Sequence, residues 1–185
     1  MRPAEQEAER VLLVACEEVT ALGEPWDHYR IDVELVAGLL FGLGVQRVAD
    51  LQIGERSYAG FLDASSHLIA VESNHHDHRQ RFSIAHEIGH YVLHCRQSAN
   101  SSTLFVCTTG DMEIRGTAVV PDERKLHTQQ EWEANLFAGA LLMPEPAVRA
   151  MHRVTGGKVS ALVKHFNVSP QAMEIRLEGL RLARR

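Results

Sequence analysis

The sequence predicts an α+β protein in which helices stand before and after a small mixed sheet. Residues 5–40 carry apolar side chains at helical spacing, residues 45–71 hold short strand-forming segments, and helical spacing then continues to residue 180. The 185 residues are enough for one well-packed domain with room for a small appendage. A hydrophobic share of 45% and a charged share of 23% are ordinary for a soluble globular protein.

Two helices and three strands are predicted first. The first helix spans residues 5–22, with its apolar residues on one side, and Gly23 and Pro25 end it. Asp32 caps a second helix that ends near Gly42. Three strands follow, at residues 45–48, 57–62 and 67–71.

The third predicted helix, residues 82–93, contains the sequence His-Glu-Ile-Gly-His. His86 and His90 stand one turn apart on the same face, with Glu87 directly beside the first. Two neutral imidazoles at this spacing reach one zinc ion at about 2.0–2.1 Å, and the glutamate is close enough to take a proton from a water at that ion. Without a metal, the same pattern is a partly exposed helix whose histidines contact water.

A catalytic zinc site needs a third protein ligand. His94 lies about 12 Å along the helix from His86, which is too far for the two to share one ion. A fourth predicted helix, residues 131–143, offers Glu131. Asn135 lies four residues further on the same face and is placed to orient a carboxylate.

Alternatives to this ligand set stay open on the residues alone. Thr128-Gln-Gln-Glu131 fits a capping box, in which Glu131 only satisfies backbone N–H groups at the helix start. Glu133 is a rival ligand that points about 160° away from Glu131 round the helix axis. The three histidines within residues 74–78 are a candidate second metal site, although adjacent histidines in a polar turn are mostly solvated.

Two domains are predicted, residues 1–148 and 149–185. Within the first, residues 100–120 form a hairpin insertion, because residues 102–107 and 113–120 have strand composition on either side of a Thr-Thr-Gly-Asp turn. The hairpin is either an active-site flap that selects the substrate or a surface decoration.

The C-terminal segment is basic, with eight Lys/Arg against two Glu in residues 149–185, although the whole chain carries a net charge of −5. Helices at residues 159–166 and 170–180 have a helix-turn-helix rhythm. If this pair binds DNA, Gln171 and Arg176 contact the bases. Otherwise it packs on the body of the protein or grips a repressor, which is the interpretation we adopt.

Two separated motifs resemble those of the ImmA/IrrE family of bacterial and phage metallopeptidases. They are RFSIAHEIGHYVLH at residues 81–94 and EWEANLFAGALLMP at residues 131–144, which matches the family pattern E-x-x-A-N-x-F-A-x-x-L-L-M-P. The resemblance covers most of the chain and implies a zincin-like fold, in which the sheet packs on the active-site helices. It also implies three metal ligands and one catalytic base, namely His86, His90 and Glu131, and Glu87.

The function that the resemblance implies is that of a zinc-dependent metalloendopeptidase. Its target in the family is a helix-turn-helix transcriptional repressor, whose site-specific cleavage derepresses stress or mobile-element genes. Manganese is the alternative metal, because availability as well as ligand type decides loading. The rival functions are a DNA-binding transcriptional regulator and a toxin–antitoxin component, each with a structural or vestigial metal site.

The resemblance also raises the question of how substrate is held. By analogy with gluzincins, a sheet edge before the active-site helix binds substrate as an added strand, and residues 58–61 or 68–71 would supply it unless both strands are internal. Tyr58, Tyr91 and His127 are candidates for the donor that stabilises the oxyanion.

A cytoplasmic location is expected from the cysteines and from the start of the chain. Cys16, Cys95 and Cys107 are an odd number without C-x-x-C spacing, which is typical of reduced thiols. The first nine residues are acidic and polar, and the chain has no run of eighteen apolar residues, so we expect neither a secretion signal nor a membrane anchor.

Overall fold

The computed structural model describes residues 2–53, 56–95, 104–108 and 121–183, with the backbone alone at residues 53, 56, 104–108 and 121–127. The predicted α+β class is confirmed. The helices are α1 (Pro3–Ala21), α2 (Val33–Phe41), α3 (Asp77–His90) with a π-helical turn after it (Tyr91–Cys95), α4 (Pro121–Leu142), α5 (Glu145–Val154), α6 (Val159–Phe166) and α7 (Pro170–Gly179). The strands are β1 (Gly44–Val48), β2 (Gln52–Ile53), β3 (Arg56–Asp63), β4 (Leu68–Glu72) and β5 (Leu104–Thr108). Within the described residues, no helix combines the length and apolar character needed to cross a membrane.

The two N-terminal helices lie where the sequence predicts them. Asp32 caps α2 by accepting hydrogen bonds from two backbone N–H groups of the first turn, at 3.1 and 3.0 Å. Gly42 ends α2 in the left-handed conformation, with φ of 64°. Ala8 and Ala15 on α1 are fully buried, and α1 packs against α4. These small side chains let the two helices approach closely.

The sheet has β3 and β4 in its interior. β4 runs parallel to β1 and antiparallel to β3, and β5 pairs antiparallel with the other side of β3. Of the two alternatives for residues 58–61 and 68–71, a substrate-binding edge or internal strands, the structure supports internal strands, because both segments have neighbouring strands on each side. The short β2, which forms a hairpin with the start of β3, was not predicted.

The predicted insertion contributes a strand to the main sheet. β5 corresponds to the first strand of the predicted hairpin, and it pairs with β3 from Tyr58↔Thr108 to Asp63↔Leu104. Its predicted partner, residues 113–120, lies outside the described residues. Among the described strands, β5 is outermost on this side of β3.

The contact between α3 and α4 depends on a glycine in the motif helix. A methyl group at Gly89 would lie 3.2 Å from the Cα of Ala134 and 3.3 Å from its carbonyl oxygen. Such distances are tighter than most Cβ contacts, so a side chain at this position would require the backbone of α4 to move by a few tenths of an ångström. Gly89 therefore lets α4 approach close enough for side chains of α4 to reach the histidines of α3.

The C-terminal helices share the apolar core of the protein. Leu162, Phe166 and Met173 are fully buried in the same cluster as residues of α1, α3 and α4. Ser169 caps α7 by accepting a hydrogen bond from the backbone N–H of Ala172 at 3.1 Å.

Arg176, a candidate base-contacting residue, is buried. Its guanidinium pairs with the Glu5 carboxylate at 2.7 Å and donates to the Met143 carbonyl at 3.0 Å. Gln171, the other candidate, is exposed. A contact between Arg176 and DNA would therefore require this buried pair to break.

Replacing Arg176 with alanine is expected to lower the free energy of unfolding by about 3 kcal/mol. Removing one partner of a buried ion pair costs about 3–5 kcal/mol, and we expect the lower end because Arg2 also bonds Glu5. Burial acts to raise the pKa of Glu5, but hydrogen bonds from Arg2 and the charge of Arg176 hold this pKa below its ordinary value. The wild type should therefore lose this stabilisation as the pH falls through the acid range.

Urea denaturation of Arg176→Ala beside Arg10→Ala tests this account. Arg10 pairs with Glu7 at an exposed position, so its removal should change the free energy of unfolding by less than about 1 kcal/mol. Equal effects of the two substitutions would contradict the assignment of a structural role to the buried pair.

Candidate active site

His86, His90 and Glu131 converge on one point between α3 and α4. The two histidine Nε2 atoms are 2.9 Å apart, and the Glu131 carboxylate oxygens lie 3.3 Å from His86 Nε2 and 3.2 Å from His90 Nε2. Ligand atoms held about 2.0–2.1 Å from a tetrahedral ion lie about 3.3 Å from one another. In the described parts of the chain, this is the group of His, Cys, Asp and Glu side chains with the spacing to hold a metal ion.

The charge states of these side chains suit a divalent cation. Burial lowers the pKa of His90 to about 4, although its hydrogen bond with Glu131 acts in the opposite direction. Burial acts to raise the pKa of Glu131, but hydrogen bonds with the two imidazoles outweigh it and hold this pKa far below its ordinary value. At neutral pH the site therefore offers a neutral imidazole and a carboxylate, which are the forms that bind metals. The residues present fit such an ion.

Asn135 orients the first histidine. Its Oδ1 accepts a hydrogen bond from His86 Nδ1 at 3.0 Å, which leaves the Nε2 lone pair of His86 facing His90 and Glu131. Asn135 thus lies on the same face of α4 as Glu131, as the sequence predicts, but it contacts the imidazole rather than the carboxylate.

Glu87 is the most unusual group of the site. It is fully buried, and among the described residues neither of its carboxylate oxygens has a hydrogen-bond partner. Burial raises the pKa of Glu87 to about 8. A buried carboxyl group without partners is costly, and such groups occur chiefly where function requires them.

Comparison with known proteins shows the family. The IrrE N-terminal-like domain matches residues 47–178, which are well over half of the chain and include His86, Glu87, His90, Glu131 and Asn135.

This chain belongs to that family.

The proteins that are similar to this member of the IrrE-like family include a curated metalloprotease and a solved structure. The radiation response metalloprotease IrrE of Deinococcus radiodurans is 31% identical over 114 residues, which are 60% of this chain and 30% of that protein. The chain thus spans about a third of the length of this relative. The solved structure of a Mycobacterium tuberculosis transcriptional regulator is 17% identical and matches with a TM-score of 0.63 over 96% of this chain and 47% of that one. That likeness shows the fold alone. The family and the relative together confirm the predicted ImmA/IrrE-like metallopeptidase domain.

The structure supports neither Glu133 as the third ligand nor a capping role for Glu131. Glu133 points to His94, with 3.9 Å between its carboxylate and His94 Nε2, and its other oxygen accepts from Gln129. The capping-box alternative for Glu131 is wrong, because α4 begins at Pro121, and Glu131 therefore lies inside the helix.

Of the three histidines at residues 74–78, His78 has a structural role. His78 Nε2 lies 2.9 Å from the side-chain oxygen of Asn167, and the amide of Asn167 donates to Asp77 at 2.8 Å. These bonds tie the start of α3 to the turn between α6 and α7. The described ligand atoms at residues 74–78 do not form a second metal-binding group.

The structure describes the side chains of two of the three candidate oxyanion donors. Tyr58 is buried beside Leu51 and Ala70, and the ring of Tyr91 contacts those of Phe41 and His67. The side chain of His127 lies outside the described residues.

Gly60 on β3 also belongs to the site, although the sequence motifs do not include it. A methyl group there would lie 3.3 Å from Glu87 Oε1, from the Ala70 carbonyl oxygen and from Ser83 Cβ. A glycine within a strand often marks such a close approach, so a signal was present in the sequence. Gly60 leaves the space in which the Glu87 carboxyl lies.

Substituting Gly60 with alanine should retain the metal and lower peptidase turnover about tenfold to 100-fold. The added methyl displaces the Glu87 carboxyl by a few tenths of an ångström or more, and misplacement of a reacting group has effects of this order. The comparison is with Gly38→Ala on α2, where a Cβ meets no atom within 4 Å. Turnover and metal content of both purified variants check the prediction, and equal turnover would contradict the role of Gly60.

Proposed function

We propose that this protein is a zinc-dependent endopeptidase that cuts a helix-turn-helix transcriptional repressor. The observation that carries the proposal is the Glu87 carboxyl, which is buried without hydrogen-bond partners beside two imidazoles and a carboxylate that converge on one point. A structural zinc site has four protein ligands, whereas a catalytic site has three and keeps the fourth position open for water or substrate.

Zinc is the metal that we propose, because two imidazoles and one carboxylate form a common catalytic zinc site. Manganese stays the alternative, since availability also decides loading. When bound, the ion supplies Lewis acidity, which polarises a peptide carbonyl and lowers the pKa of a water molecule.

The residues of this chain then perform the proton transfers. Glu87 accepts a proton from the attacking water and delivers it to the nitrogen of the leaving amine. Burial favours the neutral form of this carboxyl, which donates in the second step. The positive charge of a bound ion would favour the carboxylate, which accepts the proton in the first step. Asn135 keeps His86 in the tautomer whose Nε2 faces the ion.

One comparison supports a regulatory role for the substrate, because the similar protein of Deinococcus radiodurans is a radiation response metalloprotease. In this chain the buried pairing of Arg176 leaves the tail less suited to reading DNA itself. We further propose that cleavage takes place in the cytoplasm, where the free thiols of Cys16 and Cys95 stay reduced.

The proposal is tested by incubating the zinc-loaded protein with the helix-turn-helix repressor encoded nearest to its gene. We expect one cut, identified by mass spectrometry, that a chelator abolishes and added zinc restores. A repressor that stays intact beside the fully zinc-loaded protein would contradict repressor cleavage.

A further inference from the structure

His94 is a nearly buried polar side chain beside the metal-binding group, and the proton transfers proposed above do not use it. Its side chain is 9% exposed. Burying an imidazole costs free energy unless its nitrogen atoms make hydrogen bonds. The contacts of His94 therefore indicate what the residue does.

His94 lies between two of the three candidate metal ligands. Its ring lies next to that of His90, with 5.6 Å between the ring centroids. Its Nε2 is 3.4 Å from the backbone carbonyl oxygen of Gln130, the residue before Glu131. Because a carbonyl oxygen only accepts hydrogen bonds, Nε2 of His94 carries the proton and donates it. One side chain thus contacts a ligand on α3 and the backbone of α4 next to the ligand on α4.

The hydrogen bond from His94 reaches a carbonyl group inside α4. Gln130 lies well within this helix, which spans Pro121–Leu142. A carbonyl group inside an α-helix accepts from the N–H group four residues further along, and its oxygen has a second lone pair for another donor. The helix therefore does not need the bond from His94 to satisfy its own backbone. What the bond does fix is the position of the α4 backbone relative to α3.

The contact at Gln130 is one of two that place α4 on α3. The other is at Gly89, where the lack of a side chain admits the backbone of Ala134. Gln130 and Ala134 are about one helical turn apart. Two contacts at this separation fix both the distance and the rotation of a helix. Glu131 lies between them, and a rotation of α4 would move its carboxylate away from the histidine Nε2 atoms that it approaches at 3.3 and 3.2 Å.

His94 belongs to the π-helical turn that follows the motif helix. This turn, Tyr91–Cys95, begins directly after His90. π-helical turns are rare, and they occur frequently at functional sites. Because such a turn contains more residues than an α-helical one, it rotates His94 away from the position that an α-helix would give it. The unusual backbone thus coincides with the residue that contacts both ligand-bearing helices.

Glu133 does not account for the position of His94. Its carboxylate lies 3.9 Å from His94 Nε2, which is longer than a hydrogen bond, and its other oxygen accepts from Gln129. Partly exposed pairs of this kind contribute little to stability. The shorter contact, with the carbonyl oxygen of Gln130, is therefore the one that holds the imidazole.

We propose that His94 is a positioning residue for the metal ion. Its hydrogen bond to the Gln130 carbonyl holds α4 at the distance and rotation at which the Glu131 carboxylate meets both histidine ligands. His94 itself lies outside the converging group. It thus does for Glu131 what Asn135 does for His86. The proposal rests on the metal ion of the proposed function and not on its substrate.

A matched pair of substitutions tests the hydrogen bond. Glutamine and methionine have similar length and flexibility, but only glutamine keeps an N–H donor. We expect His94→Met to lower zinc affinity about 10–100-fold, as is usual for loss of a group that orients a metal ligand, and His94→Gln to stay close to the wild type. His94→Phe keeps a ring beside His90 without the donor and should behave like His94→Met. Glu133→Ala is the control and should bind zinc as the wild type does.

Three measurements distinguish positioning of the ligand from a general effect on folding. Titration against a chromophoric chelator gives the zinc affinity. The visible absorption of the Co²⁺-loaded protein reports the geometry of the ligands, and we expect a changed spectrum in His94→Met and the wild-type spectrum in His94→Gln. Thermal unfolding of the metal-free proteins measures stability without the ion. Should His94→Met not fold, His94→Phe supplies the comparison without a donor.

Several results would overturn the role of His94. They are equal zinc affinities of His94→Gln and His94→Met, wild-type affinity in His94→Phe, and a loss of metal-free stability in His94→Met with an unchanged Co²⁺ spectrum. A wild type that binds zinc but cuts no repressor would contradict the proposed substrate, and the zinc affinities alone would then decide the role of His94. A wild type that binds no metal would contradict the proposed function and this proposal together.

Discussion

Replacing Glu87 with glutamine should lower peptide hydrolysis by about 10³–10⁴-fold while the metal stays bound. Glutamine has the shape of glutamate, so it fills the same space beside Gly60, but it cannot accept a proton from water at neutral pH. General acid–base catalysis typically contributes about 10²–10⁴-fold to the rate. Because Glu87 acts in two steps, the rate decrease should lie at the upper end of this range. The Glu87 carboxyl does not belong to the converging ligand set, and the substitution leaves His86, His90 and Glu131 in place.

The measurement pairs single-turnover kinetics with metal analysis of the same preparation. The wild type and Glu87→Gln should contain the same amount of zinc, so that any difference in rate belongs to the base. A variant that cuts at the wild-type rate with zinc bound would contradict the role assigned to Glu87. A variant that lost its zinc would show instead that Glu87 holds the ion.

Replacing Glu131 with alanine should abolish tight metal binding. Among the described residues, Glu131 supplies the carboxylate whose oxygens reach both histidine Nε2 atoms, at 3.3 and 3.2 Å. Substitution of a residue that only orients a metal ligand typically lowers metal affinity by about 10–100-fold. Because Glu131 is a direct ligand, its removal should lower zinc affinity by more than about 100-fold. Loss of the carboxylate charge adds to this effect.

Glu133→Ala is the matched control on the same helix. Glu133 contacts His94 and Gln129 rather than the converging group. The zinc affinity of Glu133→Ala should therefore equal that of the wild type. Titration against a chromophoric chelator measures both variants. Equal weakening in the two would contradict the ligand assignment.

Local sequence patterns were sufficient to predict where α2 begins and ends and which histidines share a helix face. Asp32 and Gly42 bound α2 because a capping side chain and a left-handed glycine act within a few residues of the helix ends. His86 and His90 share a face because helical periodicity places residues four apart side by side. In both cases the residues that interact are only a few positions apart in the sequence.

The parts that could not be predicted depend on contacts between distant residues. The edge of the sheet depends on β5, which pairs with β3 across more than forty residues, and no pattern within β3 indicates that partner. α4 begins at Pro121, before the capping sequence at Thr128. The same residues are compatible with a helix interior, so this sequence did not identify where the helix begins.

The buried arginine shows the same limit. Arg176 lies on a segment whose sequence is typical of a base-contacting helix, yet it pairs with Glu5, 171 residues earlier in the chain. Charge and helical position alone do not distinguish an exposed arginine from one that ties the chain termini together. Only the packing of α1 against α4 and α7 makes that distinction.

The central claim is that one ion is held by three side chains of this chain, with the base beside it. The most direct test is the anomalous difference density, measured at the zinc absorption edge, of crystals grown from the zinc-loaded protein. The account predicts one strong peak about 2.0–2.1 Å from His86 Nε2, His90 Nε2 and a Glu131 carboxylate oxygen, with no fourth protein ligand. A peak held by His94 or Glu133, a fourth protein ligand, or no peak between α3 and α4 would contradict it.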